Sequence, residues 1–334
     1  LSEGSGGAAS HRLVQDCFVK TFDNPWLYEA EDQARLDLQA LCREGDRLAF
    51  CTDASVVSPL FFPGADIGTL AVCGTVNDLA VGGALPRYLA CSFVIEEGLP
   101  RDSLQRVVDS MAASAAQAGV YLVAGDTKVV PRGAADGLFI STSGVGVIPA
   151  GRRLGGRYLT PGDSLVVSGS LGNHGVAVSM ARDNLGVLAD VRSDCAPLNS
   201  LVECLLAACP AVRAIRDITR GGLVAVLNEW ALAASVHLQV SETDLPVEEA
   251  VRGYCELLGL DPLHLANEGK LLVAVPAAQT DQALAALRSH PLGRGAVCAG
   301  RVLAAPAGLV SLRTVFGAER LLDMPEGELL PRIC

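Results

Sequence analysis

Apolar residues recur along the chain at two spacings, and the change from one to the other marks out its elements. Leu48-Ala49-Phe50-Cys51-Thr52-Asp53 is a short apolar run ending in a carboxylate and reads as a buried strand. From Asp66 to Pro86, a glycine-rich stretch carries Leu70, Val72, Cys73, Val76, Leu79 and Ala80 at near-helical spacing, with Asn77-Asp78 inside it. Leu89 to Glu96 reads as a strand. Asp102 or Ser103 is placed to cap a helix whose inward face is Leu104, Val107, Val108, Met111 and Ala115 and which Gly119 stops. Val120 to Ala124 is the next strand, with Gly125-Asp126-Thr127-Lys128 leaving its end, and Leu138 to Ile148 closes this half.

The densest loop composition lies near the middle: Pro149-Ala150-Gly151-Arg152-Arg153, then Gly155-Gly156 and Pro161-Gly162-Asp163. A boundary is expected there, with residues 1–150 as one domain and 151–318 as the next. The second half opens on a strand from Ser164 to Ser168, a glycine turn from Gly169 to Gly175, and a helix. Further helices fit Leu198 to Cys209, Gly222 to Ala234, Val247 to Leu258 and Gln279 to Ser289, and strands fit Leu271 to Val275, Ala296 to Leu303 and Gly308 to Val315. After Phe316 the period is lost, so residues 319–334 read as a mobile tail ending in Cys334. Fully extended, the segment from Leu321 spans about 45 to 50 Å, enough for its end to reach an active site or a partner.

Composition narrows the class. At 334 residues, half of them hydrophobic, the chain is long enough for two cores, and no apolar stretch is long enough to span a membrane. With 35 Gly and only 4% aromatic residues, mixed α and β structure is favoured. The formal net charge of −11 argues against a nucleic-acid partner, because little would replace the counterions of a phosphate backbone. Eleven Cys without a CxxC pair, and no basic segment leading into an apolar one at the start, suggest reduced thiols in a cytoplasmic protein.

Four groups of residues are candidates for chemistry. Asp53, Asp66, Asp78 and Asp126 fall at element ends or beside small residues, with Asn77 and Lys128 next to two of them. Hard oxygen ligands and a lysine are what Mg²⁺ and a nucleotide triphosphate require, although each Asp alone reads equally as a strand end or a helix cap. No GxxxxGK[ST] segment exists, and Gly169, Gly172 and Gly175 do not have dinucleotide-turn spacing; that turn reads as an anion cradle or as a plain tight turn. In the second half, Asp217-Ile218-Thr219-Arg220-Gly221-Gly222 places Arg220 at a helix start, suited to phosphate. Asn267-Glu268-Gly269-Lys270 places Glu268 on a glycine-flanked loop, suited to a general base. Taken alone, each is also an ordinary capped turn. Five scattered His, without zinc spacing, read as structural or surface residues. Finally, Cys334 ends an aperiodic tail, which is the arrangement of a carrier thiol or of an incidental exposed one.

Together, Asn77-Asp78 after a glycine-rich run, Gly125 to Lys128, Asp217 to Gly222, Asn267 to Lys270 and the terminal Pro331-Arg332-Ile333-Cys334 resemble the carbamoyl dehydratases of hydrogenase maturation (the HypE family), in the aminoimidazole ribonucleotide synthetase-like, or PurM-like, superfamily. The resemblance runs from Gly4 to Cys334. It implies an α/β N-terminal ATP-binding domain that pairs with its copy in a homodimer around a shared β-barrel. It further implies an α+β sandwich domain and a flexible C-terminal tail. The implied activity is ATP-dependent dehydration of a carbamoyl group on the terminal thiol to a thiocyanate, the source of the cyanide ligand of nickel-iron hydrogenase. A HypF-like carbamoyltransferase would load the thiol and a HypC–HypD-like iron scaffold would receive the cyanide.

Carried over by motif, Cys334, Glu268 and Lys128 would be catalytic. Asp53, Asp66, Asn77, Asp78, Asp126, Arg220, Gly221 and Asn267 would bind ATP, with Asp53, Asp78 and Asp126 near Mg²⁺. Three positions depart from the family pattern: Glu3 replaces a His, Ala54 a Ser and Asn173 an Asp. Rival readings are another ATP-dependent enzyme of the superfamily, such as selenophosphate synthetase, or a non-enzymatic thiol scaffold. Selenophosphate synthetase would need a Cys just after the N-terminal glycines, whereas the first Cys here is Cys17.

Overall fold

The computed structural model describes residues 2–4, 7–183 and 190–325. They form two compact units that divide between Arg152 and Arg153, two residues from the expected boundary, with Val81–Gly83 grouped with the second.

In the first unit, strands β1 (Arg47–Ser55), β2 (Leu85–Glu96), β3 (Tyr121–Val130) and β4 (Leu138–Ile148) make a sheet of order β1-β4-β2-β3, antiparallel except for the β2–β3 pair. Helices α1 (Ile67–Val81) and α2 (Arg101–Ala118) supply its core. Leu70, Val72, Cys73 and Val76 of α1 and Leu104, Val107, Val108 and Met111 of α2 are all buried. Gly119 ends α2 in the left-handed conformation (φ 70°) that glycine adopts without steric cost. The opposite face of the sheet is open: Leu48, Phe50 and Tyr121 are 56%, 71% and 52% exposed.

Three expectations change here. The strand from Leu48 is formed, but it is an edge strand whose apolar residues alternate outward rather than being buried. The residue preceding α2 is Pro100, and neither Asp102 nor Ser103 caps it, since both lie within the helix. Gly125-Asp126-Thr127-Lys128 does not leave the strand. It is the second half of β3, carried past the apolar run by its pairing with β2.

The second unit holds β5 (Asp163–Val167), α3 (Asn173–Asp183), α4 (Asn199–Ala208), β6 (Ala214–Asp217), α5 (Gly222–Ala234), β7 (His237–Ser241), α6 (Glu249–Leu258), β8 (Leu271–Pro276), α7 (Thr280–Ser289), β9 (Val297–Leu303), β10 (Leu309–Arg313) and β11 (Glu319–Leu321). Its seven strands run in the order β11-β10-β7-β9-β5-β8-β6, with β10 and β7 the parallel pair. One face packs on α5 through Leu165, Val167, Leu238, Val240, Leu223, Leu227 and Trp230. Helix α7 packs against α4 and touches β5, β8 and β9. A second cluster, Val176, Val191, Val251, Tyr254 and Leu265, ties α3 and α6 to the loop before Asn267.

Strands β6, β7 and β11 were not legible as elements. Residues 319–322, expected in the tail, belong to the fold: Glu319–Leu321 pairs with β10, and Leu322 is buried in the α5 core and bonded to Val310 and Asn228. The terminal segment with Cys334 lies outside the described residues. Among the described residues no helix is long and apolar enough to cross a membrane.

Candidate active site

The first-unit candidates are placed by β1, α1 and β3. Asp53 points to the helix side of the sheet; a Cβ on Gly74 of α1 would stand 2.5 Å from its Oδ2, so glycine there makes room for the carboxylate. Its Oδ1 accepts the Ala54 N–H at 2.8 Å. Asn77 is buried and Asp78 exposed on the same helix. Asp66 is a cap: Oδ1 accepts from the Thr69 N–H at 2.8 Å and from Ser110 Oγ at 2.6 Å, fixing the first turn of α1 against α2. Glu3 meets Arg101 at 2.9 Å.

Asp126 and Lys128 project from the open face of β3, with Lys128 Nζ donating to both carboxylate oxygens at 2.6 and 2.5 Å. That hydrogen bond, helped by the Thr127 N–H and the ammonium charge and opposed by slight burial, holds the Asp126 carboxyl below the usual range.

The register separates two of the proposed metal ligands. Asp53, Thr142, Cys91 and Gly125 form one cross-strand row and Ala54, Ser141, Ser92 and Asp126 the next. Adjacent rows face opposite sides, and β1 and β3 are three strand spacings apart, about 14 Å. Among the described residues no three His, Cys, Asp or Glu side chains converge on one metal position. The oxygen donors fit Mg²⁺ in its usual manner, with one or two carboxylates and the rest of the shell from water and phosphate. They do not fit a three-carboxylate cage within one chain.

In the second unit, three segments meet at the glycine turn that leads into α3. Asn267 is 1% exposed and holds them: Oδ1 accepts the Gly172 N–H at 2.7 Å, and Nδ2 donates to the carbonyls of Ile218 at 3.1 Å and Leu265 at 3.2 Å. Its side chain is therefore committed to the scaffold. Gly222 is also required: at φ 62°, an added Cβ would stand 2.3 Å from the Leu263 carbonyl. This close contact sets the exposed Arg220 and the buried Gly221 at the start of α5.

Glu268 is 8% exposed, its backbone fixed by Asp194 Oδ1, which accepts its N–H at 3.0 Å, and by the Ala196 N–H, which donates to its carbonyl at 3.3 Å. His174, at the start of α3, is bonded through Nδ1 to Ser193 Oγ at 2.9 Å. Burial pushes its pKa down to about 4, against the opposing pull of the Asp194 charge, so it is neutral at pH 7. Sequence reasoning missed Asp194 and Ser193 altogether and left His174 as structural. The available signal was the polar run Arg192-Ser193-Asp194 ahead of Pro197.

Two family models match the chain: AIR synthase related protein, N-terminal domain, over residues 30–148, and AIR synthase related protein, C-terminal domain, over 160–311. Carbamoyl dehydratase HypE of Escherichia coli K12 is 54% identical over 100% of this chain and 98% of its own length. A crystal structure of the hydrogenase maturation protein HypE in complex with ATP superposes with a TM-score of 0.95 at 50% identity, covering 100% of this chain and 99% of that one. HypE in a HypE–HypF complex gives 0.81 at 43% identity over 96% of this chain and 100% of that one. By this agreement over its whole length, the chain belongs to the HypE family of carbamoyl dehydratases, built on the two-domain PurM-like fold of the AIR synthase related proteins.

Proposed function

We propose that the protein dehydrates a carbamoyl group carried on the Cys334 thiol to a thiocyanate, with ATP consumed to ADP and phosphate, as a step in making the cyanide ligand of nickel-iron hydrogenase. The observation that carries this reading is the match to carbamoyl dehydratase HypE over the full chain, supported by the near-complete superposition on a HypE bound to ATP.

An amide oxygen is a poor leaving group, and bound Mg-ATP supplies the phosphoryl group that lets it depart as phosphate. The chain's own residues supply charge and proton transfer. Lys128 is exposed and paired only with Asp126 among the described residues, so its ammonium is available to orient a carbonyl or phosphate oxygen by exchanging one partner for another. Glu268, on its doubly anchored backbone, takes the N–H protons as the C–O bond breaks and the C≡N bond forms. Asp53, Asn77, Asp78 and Asp126 hold Mg-ATP, and Arg220 and Gly221 line the phosphate path. Asp66 and Asn267 shape the surrounding turns, because their polar atoms are occupied within the fold.

The open face of the first sheet, with Leu48 and Phe50 exposed, suits pairing with a second copy, each sheet completing half of a barrel. A HypF-like carbamoyltransferase supplies the carbamoyl group, a reading supported by the HypE–HypF complex of a relative, and a HypC–HypD-like iron scaffold receives the cyanide.

Peptide mass spectrometry tests the reaction after incubation with an active carbamoyl donor, with and without Mg-ATP. A carbamoyl adduct is expected on the Cys334 peptide, losing one water only when Mg-ATP is present. No adduct at Cys334 would remove the carrier thiol. In Glu268→Gln the carbamoylated tail should accumulate, and a normal thiocyanate yield would eliminate Glu268 as the base.

A further inference from the structure

We propose that Asp194, held by Lys270, is a positioning residue for Glu268, fixing the backbone from which the Glu268 carboxylate reaches its proton. This rests on Glu268 being the base of the reaction proposed above.

Asp194 and Lys270 form a nearly dry ion pair, Nζ to Oδ2 at 3.1 Å, with side chains only 6% and 15% exposed. A carboxylate withdrawn from water this far is costly unless both oxygens are satisfied. Here they are: Oδ2 takes the Lys270 ammonium, and Oδ1 takes the Glu268 N–H. Two residues on, the Ala196 N–H donates to the Glu268 carbonyl. The segment from Asp194 to Ala196 therefore grips the N–H and the C=O of one residue, and that residue is Glu268.

The glycines on either side show how close the fit is. A Cβ on Gly269 would stand 1.8 Å from the Asp194 carbonyl oxygen, so only glycine lets the two segments meet. A Cβ on Gly169 would stand 3.1 Å from Cε of Lys270, which runs alongside the turn to reach Asp194. Ser193 Oγ accepts the Cys195 N–H at 3.1 Å and bonds His174, tying the Asp194 segment to the start of α3. With its peptide immobilised on both sides, Glu268 loses little conformational freedom on meeting its substrate, and small errors in the placement of a base cost large factors in rate. Lys270 also balances the negative charge that Asp194 brings within one peptide of Glu268.

The test is a double-mutant cycle on the full-length protein, following single-turnover dehydration of carbamoylated Cys334 with Mg-ATP. Asp194→Ala is expected to slow dehydration about a hundredfold and Asp194→Asn, which keeps an acceptor for the Glu268 N–H, about tenfold. Carbamoyl loading and ATP affinity should stay at wild-type values in both. If Asp194 acts through Glu268, Asp194→Ala combined with Glu268→Gln is no slower than Glu268→Gln alone.

A slow Glu268→Gln beside a normal Asp194→Ala would overturn the positioning role and leave the base in place. A double variant slower than Glu268→Gln by the full Asp194→Ala factor would also overturn it. A normal Glu268→Gln would instead remove the base. If Asp194→Ala does not fold, the cycle is run with Asp194→Asn under the same criteria.

Discussion

Asp53 and Asp126 stand on opposite faces of one four-stranded sheet, three strands apart, Asp53 against α1 and Asp126 on the open side. No rotamer brings both carboxylates of one chain to a single Mg²⁺. If both serve one nucleotide, each site takes Asp53 from one protomer and Asp126 from its partner. Asp53→Asn and Asp126→Asn homodimers should then each be inactive, while a randomly exchanged mixture recovers about a quarter of wild-type turnover, since half its dimers carry one intact site. A mixture as inactive as its parents would show that the two carboxylates do not share a site across protomers.

The same open face predicts the assembly. Phe50 is 71% exposed and Leu48 56%, on a strand where a solvated face would carry polar residues. If two copies pair through this face, Phe50→Glu should be monomeric where the wild type is dimeric at micromolar concentration, measured by sedimentation velocity. The monomer's far-UV circular dichroism should match wild type, because Phe50 contributes little to the core of its own chain. A Phe50→Glu variant that stays dimeric would move the interface elsewhere.

His174 gives the second unit an acid sensitivity with a defined sign. Its folded pKa of about 4 lies below the ordinary value of 6.5, so the unfolded chain takes up the proton first as pH falls. The neutral imidazole contributes its full share above pH 6.5, and that share is lost between pH 6.5 and about 4, approaching roughly 3 kcal/mol. Denaturant unfolding of the wild type and His174→Gln across this window should show the wild type losing more. Parallel curves would mean that His174 is solvated in solution.

Much of this organisation was legible in the sequence, and the misses share a cause. Loop composition around residues 149–163 suggested a boundary, and periodicity located most long elements because buried faces dictate it. It failed for the second half of β3, where Gly125-Asp126-Thr127-Lys128 has no apolar alternation and is held extended only by its neighbour β2. It misjudged β1, an edge strand on which Leu48 and Phe50 face outward instead of into the core. The candidate residues were found by chemical type, so the fold had to separate those committed to scaffolding, Asp66 and Asn267, from the exposed Asp78, Lys128 and Arg220. Asp194 escaped because its significance is a contact with a residue 74 positions away.

Asn267 allows the scaffold to be tested apart from the chemistry. Its side chain accepts one N–H and donates to two carbonyls, all within a buried junction of the Gly172 turn, the Ile218 loop and the Leu265 segment. Asn267→Ala leaves one donor and two acceptors to find other partners, a loss of about 2 to 4 kcal/mol. Asn267→Asp keeps an acceptor for Gly172 but turns a carboxylate oxygen toward the Ile218 and Leu265 carbonyls, where attraction becomes repulsion. The near-isosteric Asp should therefore be at least as destabilising as Ala at neutral pH, and should recover part of the difference at pH 5 as protonation restores one donor. Urea unfolding at both pH values checks this, and an Asp variant as stable as wild type at pH 7 would show that the two carbonyl contacts carry no weight. Because the junction also holds the loop that presents Glu268, dehydration should slow in both variants, while carbamoyl loading of Cys334, which needs no base from this loop, should persist.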